Sequence, residues 1–244
     1  MNILFAGTPS NAAKILNNLA KMDAFNIKGV LTQPDKRYKR GADLIESPVA
    51  VVAKKLKLDV FKPKNLNSSN TKESLGSLNI DFLVVIAYGK IIPSWLLNLP
   101  NKSPINVHFS LLPKYRGASP IQSALLNGDK ITGITIIRMS EILDAGDIIS
   151  TINVRIDLMD NRSTLEEKLT NMCISELPKT LSLIKSNKVQ FKKQRHSNAS
   201  YCVKILKSNS IIDFNEESEK IINKYRAYFG WPELSFIYKD INIK

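Results

Sequence analysis

The stretch of sequence that decides the fold class is Phe82-Leu83-Val84-Val85-Ile86-Ala87, six apolar residues without a polar interruption. This pattern is typical of a strand covered on both faces, as the strands of parallel sheets are. Other strand-like runs lie on either side of it, at residues 3–6, 27–32, 60–61, 105–108, 132–139 and 148–156. Segments with the helical period alternate with these runs, at residues 12–19, 49–56, 93–97, 120–126 and 163–184. We therefore predict an α/β fold with a doubly wound, mostly parallel sheet.

The composition changes along the chain and predicts three parts. Residues 1–185 carry the alternating pattern and form the main domain. Residues 186–208 are rich in Lys, Ser, Asn and Gln with little periodicity, as a linker would be. Residues 209–244 form a separate small unit, which is too short to bury a core of its own. We expect this unit to pack on the main domain or to be incomplete.

A helix and a strand are predicted within the small unit. The helix lies near residues 216–228, and the strand covers residues 234–238. The helical period puts four large apolar side chains on one face of that helix, namely Ile221, Ile222, Tyr225 and Phe229.

The charge balance restricts the classes of partner. With 244 residues, 43% of them hydrophobic, the chain can bury a substantial core, and its formal net charge is +13. Such a charge favours an anionic partner, most simply nucleic acid. The alternative is a general bias toward Lys, Asn and Ile that raises the charge without creating a binding surface. Charge alone leaves both possibilities open.

Cysteine usage and the start of the chain indicate a reducing compartment. Cys173 and Cys202 stand apart, without a Cys-x-x-Cys pair or a metal-binding spacing, so no disulfide framework or metal site is expected. The N-terminus lacks the basic region of a signal peptide, and no apolar run is long enough to cross a membrane. We expect a cytoplasmic protein.

Candidate catalytic residues occur where a predicted strand ends. Asn106 and His108 are two positions apart on a strand, so their side chains point to the same face. At the carboxyl end of a strand this face opens onto the crevice where α/β sheets bind ligands. A lone histidine there is often only structural, but Asn106 is costly to bury in a strand unless it is paired.

Downstream, the turn Leu143-Asp144-Ala145-Gly146-Asp147 offers two carboxylates that sequence alone hardly separates, although Asp147 fits a plain turn role better. Asn, His and Asp together can polarise a carbonyl and move a proton, which favours an enzyme.

These residues belong to motifs that resemble the methionyl-tRNA formyltransferase family of folate-dependent formyltransferases. The Asn106-Val107-His108 and Ser110-Leu111-Leu112-Pro113 motifs are shared by all folate-dependent formyltransferases, so they specify the chemistry but not the acceptor. Other matches are more particular to the tRNA enzymes, namely Thr32-Gln33-Pro34-Asp35, Ser47-Pro48-Val49 and Arg116-Gly117-Ala118 followed by Pro120-Ile121-Gln122. The resemblance implies a Rossmann-like formyltransferase domain followed by the start of a C-terminal β-barrel.

The resemblance also implies an activity and roles. The expected reaction transfers the formyl group of 10-formyltetrahydrofolate to the free amino group of methionyl initiator tRNA, without a metal. Asn106 and protonated His108 would stabilise the oxyanion of the tetrahedral intermediate, and Asp144 would hold the charge on His108. The folate co-substrate would contact two groups of residues: Ser110, Leu111, Leu112 and Pro113, and Ile86, Tyr88 and Gly89.

A basic segment is expected to contact the acceptor end of the tRNA. Its cations are Lys36, Arg37, Lys39 and Arg40, with a tyrosine between them. By resemblance, Arg40 matches the arginine that reads the weak first pair of the initiator acceptor stem. Cations interleaved with an aromatic ring suit phosphate contacts and stacking. The alternative is a solvated basic loop without a partner.

Several positions depart from the family pattern. Phe109 stands where a small residue is common, Ser140 and Ile142 replace an Asp and a Gly, and Gly230 replaces a proline. The chain is also shorter than the family at its C-terminus, so the barrel is expected to be incomplete. Two alternatives follow: a sugar-nucleotide N-formyltransferase, or a catalytically weak tRNA-binding remnant. We expect a monomer that does not bind membranes.

Overall fold

A parallel core forms most of the central sheet. The computed structural model describes residues 1–37 and 43–243. Within these residues the strands are β1 (Asn2–Gly7), β2 (Asn26–Leu31), β3 (Lys36–Arg37), β4 (Leu44–Ile45), β5 (Val60–Phe61), β6 (Phe82–Ile86), β7 (Ser103–His108), β8 (Arg116–Gly117), β9 (Ile131–Arg138), β10 (Asp147–Arg155), β11 (Tyr201–Cys202), β12 (Phe236–Tyr238) and β13 (Ile241–Ile243). The central sheet has the order β10-β9-β7-β6-β1-β2-β5. Its pairs from β5 to β7 are parallel, and β9 runs antiparallel to both of its neighbours, β7 and β10. The predicted doubly wound, mostly parallel sheet is confirmed.

The strand order places a crevice at the carboxyl ends of β1 and β6. The chain winds outward from β1 through β2 to β5, then crosses back to β6 on the other side of β1. Such a reversal opens a gap between the loops that leave the two central strands, where α/β proteins bind their ligands. Residues 8–9 and 87–89 follow these two strands, and His108 ends the neighbouring β7.

Helices cover both faces of the sheet. They are α1 (Ser10–Leu19), α2 (Pro48–Lys55), α3 (Ser69–Gly76), α4 (Ser94–Leu97), α5 (Pro120–Leu126), α6 (Arg162–Lys185) and α7 (Ser218–Tyr228) among the described residues. Local signals explain several starts: Pro48 opens α2 behind the capping hydroxyl of Ser47, and Asn161 caps α6. The helical period did not predict α3, because it is polar and buries only Leu75.

Alternation along the strands divides the core into two layers. Phe82, Val84 and Ile86 of β6 face the layer of α1, α5 and α6, whereas Leu83 and Val85 face the layer of α3 and α4. All five side chains are at most 6% exposed. The uninterrupted apolar run that predicted the fold is therefore buried on both faces of the sheet.

The small C-terminal unit packs on the main domain through its helix. Helix α7 packs against α5 and buries Ala227 and Tyr228, whereas Ile222, Tyr225 and Phe229 stay exposed. Three of the four large apolar side chains that share one face of this helix are therefore exposed. The approach is close, because a Cβ on Gly128, just after α5, would lie 3.1 Å from the side-chain amide of Asn223.

The polar segment after α6 lies against the sheet. Backbone groups of Lys192 and Ile148 pair with each other, and Tyr201 and Cys202 of β11 pair with β8. Gln194, in the middle of the segment, is only 6% exposed. The chain therefore returns to the carboxyl edge of the sheet before it reaches α7.

Candidate active site

A cleft of about 630 Å³ lies at the crevice that the strand order creates. Its walls come from the loops after β1, β6 and β7, the start of α5 and the turn between β9 and β10. The lining residues are Pro9, Asn11, Val85, Ile86, Ala87, Tyr88, Gly89, Lys90, Ile91, Ile92, Asn106, Val107, His108, Phe109, Gly117, Ala118, Pro120, Ile121, Gln122, Ile137, Met139, Ser140, Glu141, Ile142, Leu143, Asp144 and Glu166. The cleft is mostly apolar with a few convergent polar groups, as small-molecule sites are.

The structure brings Asn106, His108 and Asp144 together in this cleft. The Asn106 side-chain amide donates to Asp144 Oδ1 at 3.3 Å, and His108 Nδ1 lies 3.6 Å from Asp144 Oδ2. The side chains of His108 and Asp144 are 7% and 9% exposed. The i, i+2 spacing on β7 therefore does place Asn106 and His108 on one face, as the sequence predicted.

The ring of His108 is held between two acceptors. Its Nε2 lies 2.8 Å from the backbone oxygen of Tyr115. A carbonyl oxygen can only accept, so Nε2 carries a hydrogen and donates it. Nδ1 then faces the carboxylate of Asp144, where an added proton would be shared with an anion. This arrangement suits a histidine that holds and releases a proton.

A backbone amide fixes the carboxylate of Asp144. The Gly117 N–H donates to Asp144 Oδ2 at 2.8 Å. Gly117 has φ of +119°, and a Cβ there would lie 2.2 Å from the backbone oxygen of Cys202, so this position requires glycine. Asp147, by contrast, pairs with Arg138 outside the cleft lining. The structure thus separates the two carboxylates that the sequence could not.

The seven residues predicted to contact folate fall into two groups. Ile86, Tyr88 and Gly89 line the cleft, whereas the segment from Ser110 to Pro113 lies outside its lining. That segment forms a turn behind His108. The hydroxyl of Thr135 ties the turn, donating to the backbone oxygen of Ser110 at 2.7 Å and accepting from the Leu112 N–H at 3.0 Å. Folate contact by Ser110, Leu111, Leu112 and Pro113 stays a prediction.

Tyr88 combines a bound backbone with an unpaired side chain. Its backbone oxygen accepts from Thr8 Oγ1 and from Gln33 Nε2, both at 2.9 Å. Its hydroxyl is buried without a hydrogen-bond partner among the described residues, and burial raises the pKa of Tyr88 to about 12. The following Gly89 has φ of +78°, and a Cβ there would meet the Gln33 amide at 2.4 Å.

Part of the predicted tRNA-contacting segment is described. Lys36 and Arg37 form β3, which pairs with β4, and both are exposed. Lys36 donates to Gln33 Oε1 at 2.6 Å, and Gln33 in turn holds the backbone of Tyr88 at the cleft. Lys39 and Arg40 lie outside the described residues. The predicted contacts of all four cations with tRNA stay predictions.

An ion-pair cluster closes the base of this loop. Lys62 Nζ lies 2.6 Å from Asp35 and 2.5 Å from Glu46, which flank the loop on either side. Burial lowers the pKa of Lys62, but the hydrogen bonds to Asp35 and Glu46 outweigh it and leave that pKa raised. The two ends of the basic loop are therefore fixed against the sheet domain.

Sequence reasoning missed several residues of the site. Asn11 and Glu166 line the cleft and are hydrogen-bonded to each other at 3.1 Å. Arg116 and Gln194 are buried behind Asp144 and bonded to each other. Arg116 belongs to a family motif that assigns it no role, and Gln194 lies in a segment whose composition predicts a linker. No local pattern identifies either residue.

Neither a metal cluster nor a membrane-spanning helix is found in the described ranges. No group of three or more His, Cys, Asp or Glu side chains there is placed to hold a metal ion. No helix of the described residues is long and apolar enough to cross a membrane.

Comparison with known proteins identifies the class. The model of the formyl transferase family matches residues 1–181, about three quarters of the chain. The chain therefore belongs to the formyl transferase family. Among solved structures, an N-formyltransferase from Helicobacter canadensis, solved with folinic acid and dTDP-3-aminofucose, has a TM-score of 0.75 at 22% identity, over 99% of this chain and 85% of that one. A 4-N formyltransferase from Francisella tularensis has a TM-score of 0.76 at 21% identity, over 99% and 95% of the two chains. At these identities the likeness shows the shared fold alone.

Closer relatives in sequence carry a particular name. Methionyl-tRNA formyltransferase of Thermotoga maritima is 39% identical over 244 residues, which cover all of this chain and 78% of that protein. The methionyl-tRNA formyltransferase of Buchnera aphidicola subsp. Acyrthosiphon pisum is 40% identical, over all of this chain and 77% of the relative. The family recognised from the motifs is thus confirmed over the whole chain.

Proposed function

We propose that this protein transfers the formyl group of 10-formyltetrahydrofolate to the free amino group of methionyl initiator tRNA, for translation initiation. The observation that carries the proposal is the convergence of Asn106, His108 and Asp144 on one cleft, in a chain about 40% identical to methionyl-tRNA formyltransferases over its full length. Both observations are needed, because the three residues support formyl transfer and the sequence similarity supports the tRNA acceptor.

The reaction needs charge stabilisation and one proton transfer. The amine nitrogen attacks the formyl carbon, and the carbonyl electron pair moves to the oxygen, which becomes an oxyanion. When the intermediate collapses, the carbonyl re-forms, the bond from carbon to N10 breaks, and a proton from the amine ends on N10 of tetrahydrofolate. Asn106 and protonated His108 stabilise the oxyanion. Such preorganised donors lose little on reorganisation, which makes them effective.

The polar contacts fit these roles. The Asn106 amide has two N–H donors, and its bond to Asp144 uses one of them. The second is available for the oxyanion. Asp144, fixed by the Gly117 N–H, holds the charge on His108 and helps pass the proton from the amine to N10.

The cleft and its basic border supply the substrate contacts. The folate co-substrate occupies the apolar cleft beside Ile86, Tyr88 and Gly89. The tRNA acceptor end meets the loop of Lys36, Arg37, Lys39 and Arg40, and the net charge of +13 adds attraction that salt weakens. A monomeric state and a cytoplasmic location belong to the same proposal.

Formyl transfer can be measured directly. The purified chain is incubated with 10-formyltetrahydrofolate and methionyl initiator tRNA, and formylmethionyl-tRNA is quantified. We expect turnover in the wild type and its loss in His108→Ala. Absence of turnover with wild-type protein that still binds folate would contradict the tRNA acceptor, and an amino-sugar nucleotide would then be tested in its place.

A matched pair of variants tests the assignment of the carboxylate. Asp144→Asn and Asp147→Asn make the same chemical change three positions apart. We expect Asp144→Asn to lower kcat by about 10²–10³-fold, the range for loss of one preorganised group. Asp147→Asn should keep kcat near the wild-type value, because exposed ion pairs contribute only about 0–1 kcal/mol. Equal losses in both variants would refute the role of Asp144.

A further inference from the structure

The side chain of Gln194 links the Asp144 turn to a buried arginine. Its Nε2 donates to the backbone oxygens of Asp144 and Gly146, at 2.8 Å and 2.7 Å. Its Oε1 accepts from Arg116 Nη2 at 2.7 Å and from Nε at 3.2 Å. All of the usual hydrogen-bonding positions of a carboxamide are thus occupied, two donors and two acceptor sites.

The chemistry of the partners fixes the orientation of this amide. A guanidinium can only donate, so the oxygen of Gln194 must face Arg116. Backbone carbonyls can only accept, so the nitrogen must face Asp144 and Gly146. The reverse orientation would place oxygen against two oxygens and N–H against N–H. Only an amide satisfies both sides at once.

Arg116 depends on these contacts because its charge is buried. The residue is 1% exposed and forms no ion pair with the described part of the chain. Its other described side-chain hydrogen bond runs from Nη1 to His196 Nδ1, at 3.3 Å. A buried charge is costly unless it is hydrogen-bonded, so Arg116 and Gln194 hold each other in place.

Gln194 and Gly117 hold Asp144 by its backbone and by its side chain. Asp144 has φ of +50°, a conformation that residues with side chains rarely adopt. Gln194 fixes its backbone oxygen, and the amide of Gly117, directly after Arg116 in the chain, fixes its carboxylate. The strained turn is therefore held in the one geometry that faces His108.

We propose that Gln194 is a positioning residue for formyl transfer, which holds the Asp144 carboxylate against His108 by binding the backbone of the turn. The inference rests on the proposed function, since it needs Asp144 to act in the reaction. It gives the segment of residues 186–208 a role in the active site, because Gln194 of this segment binds the backbone of Asp144.

The discriminating variant is Gln194→Glu. A carboxylate at this position can still pair with Arg116, which supports the fold, but its second oxygen faces the carbonyls of Asp144 and Gly146. The turn should shift, and a displacement near 1 Å at a catalytic group costs on the order of 10²-fold in rate. We expect kcat to fall by about 10–100-fold, with KM for 10-formyltetrahydrofolate and for the tRNA changed by less than about 2-fold. Gln190→Glu makes the same change at an exposed position of the same segment and should leave kcat unaltered.

A double variant tests whether Gln194 acts through Asp144. If it does, Gln194→Glu combined with Asp144→Asn should be no slower than Asp144→Asn alone, within about 2-fold. A kcat that falls by the product of the two single effects overturns the inference. So does an unaltered kcat in Gln194→Glu.

Amide hydrogen exchange tests the holding role of Gln194 without a measurement of enzyme turnover. If the wild type does not formylate the tRNA, the proposed function fails, and the turn is then followed by exchange of peptides that cover residues 140–147. Faster exchange there in Gln194→Glu than in Gln190→Glu supports the holding role. Equal exchange in the two variants overturns it.

Discussion

The hydroxyl of Thr135 allows a quantitative test of how the turn after His108 is stabilised. Thr135 lies on β9 directly opposite His108, with no exposed surface. Its hydroxyl donates to the backbone oxygen of Ser110 and accepts from the N–H of Leu112. Thr135→Val keeps the shape of the side chain and removes both bonds. One backbone donor and one backbone acceptor then lose a partner inside the protein.

The size of the effect follows from these two groups. Each buried polar group left without a partner costs about 1–3 kcal/mol. The loss is partly offset, because the variant no longer has to bury the threonine hydroxyl. We expect the free energy of unfolding to fall by about 2–4 kcal/mol. For a chain of this size that corresponds to a Tm lower by about 4–16 °C. Val has the higher strand propensity, so propensity alone would predict no loss.

Urea and thermal unfolding followed by circular dichroism measure this change. Thr151→Val is the matched control, because Thr151 pairs with Thr135 across β9 and β10 but is exposed. It should stay within about 0.5 kcal/mol of the wild type. Thr135→Ser, which keeps the hydroxyl, should recover most of the stability lost in Thr135→Val. A loss below about 0.5 kcal/mol in Thr135→Val would refute the claim that this hydroxyl holds the turn.

Two further predictions concern pH. Burial raises the pKa of Tyr88 from its ordinary value of 10 to about 12, so the free energy of unfolding should fall as the pH rises from 10 to 12. Tyr88→Phe should lack this alkaline loss and be at least as stable as the wild type at pH 7, which urea unfolding measures. Burial raises the pKa of Asp160, but hydrogen bonds from Lys168 and the Asp157 amide outweigh it and lower that pKa. Its stabilisation is present above the ordinary value of 3.8 and is lost as the pH falls through the folded value. The stability difference between wild type and Asp160→Asn should therefore shrink toward low pH, and a constant difference would contradict the assignment.

The sheet and the three central side chains could be predicted because their signals are local. Residues 82–87 are uniformly apolar, which indicates a strand buried on both faces, and the layers of the core confirm it. Asn106 and His108 share a face because side chains alternate along any strand. Asp144 could not be separated from Asp147 by sequence, because both fit a turn. The separation depends on the Gly117 amide, 27 residues away in the chain.

The remaining parts of the site are set by contacts that leave no pattern in the sequence. Gln194 reaches Arg116 across 78 residues and Asp144 across 50, and composition around it predicts a solvated linker. The β8 and β11 strands contain two residues each, too few for any periodicity. A buried amide carries information only through its partners, since the same residue type is ordinary on a surface. Residues of the predicted site occur in motifs that can be recognised in the sequence. Residues that hold those motifs in position can be identified only from their contacts in the folded structure. For this protein the second class includes Thr135 and Gln194, and the variants proposed for both test it directly.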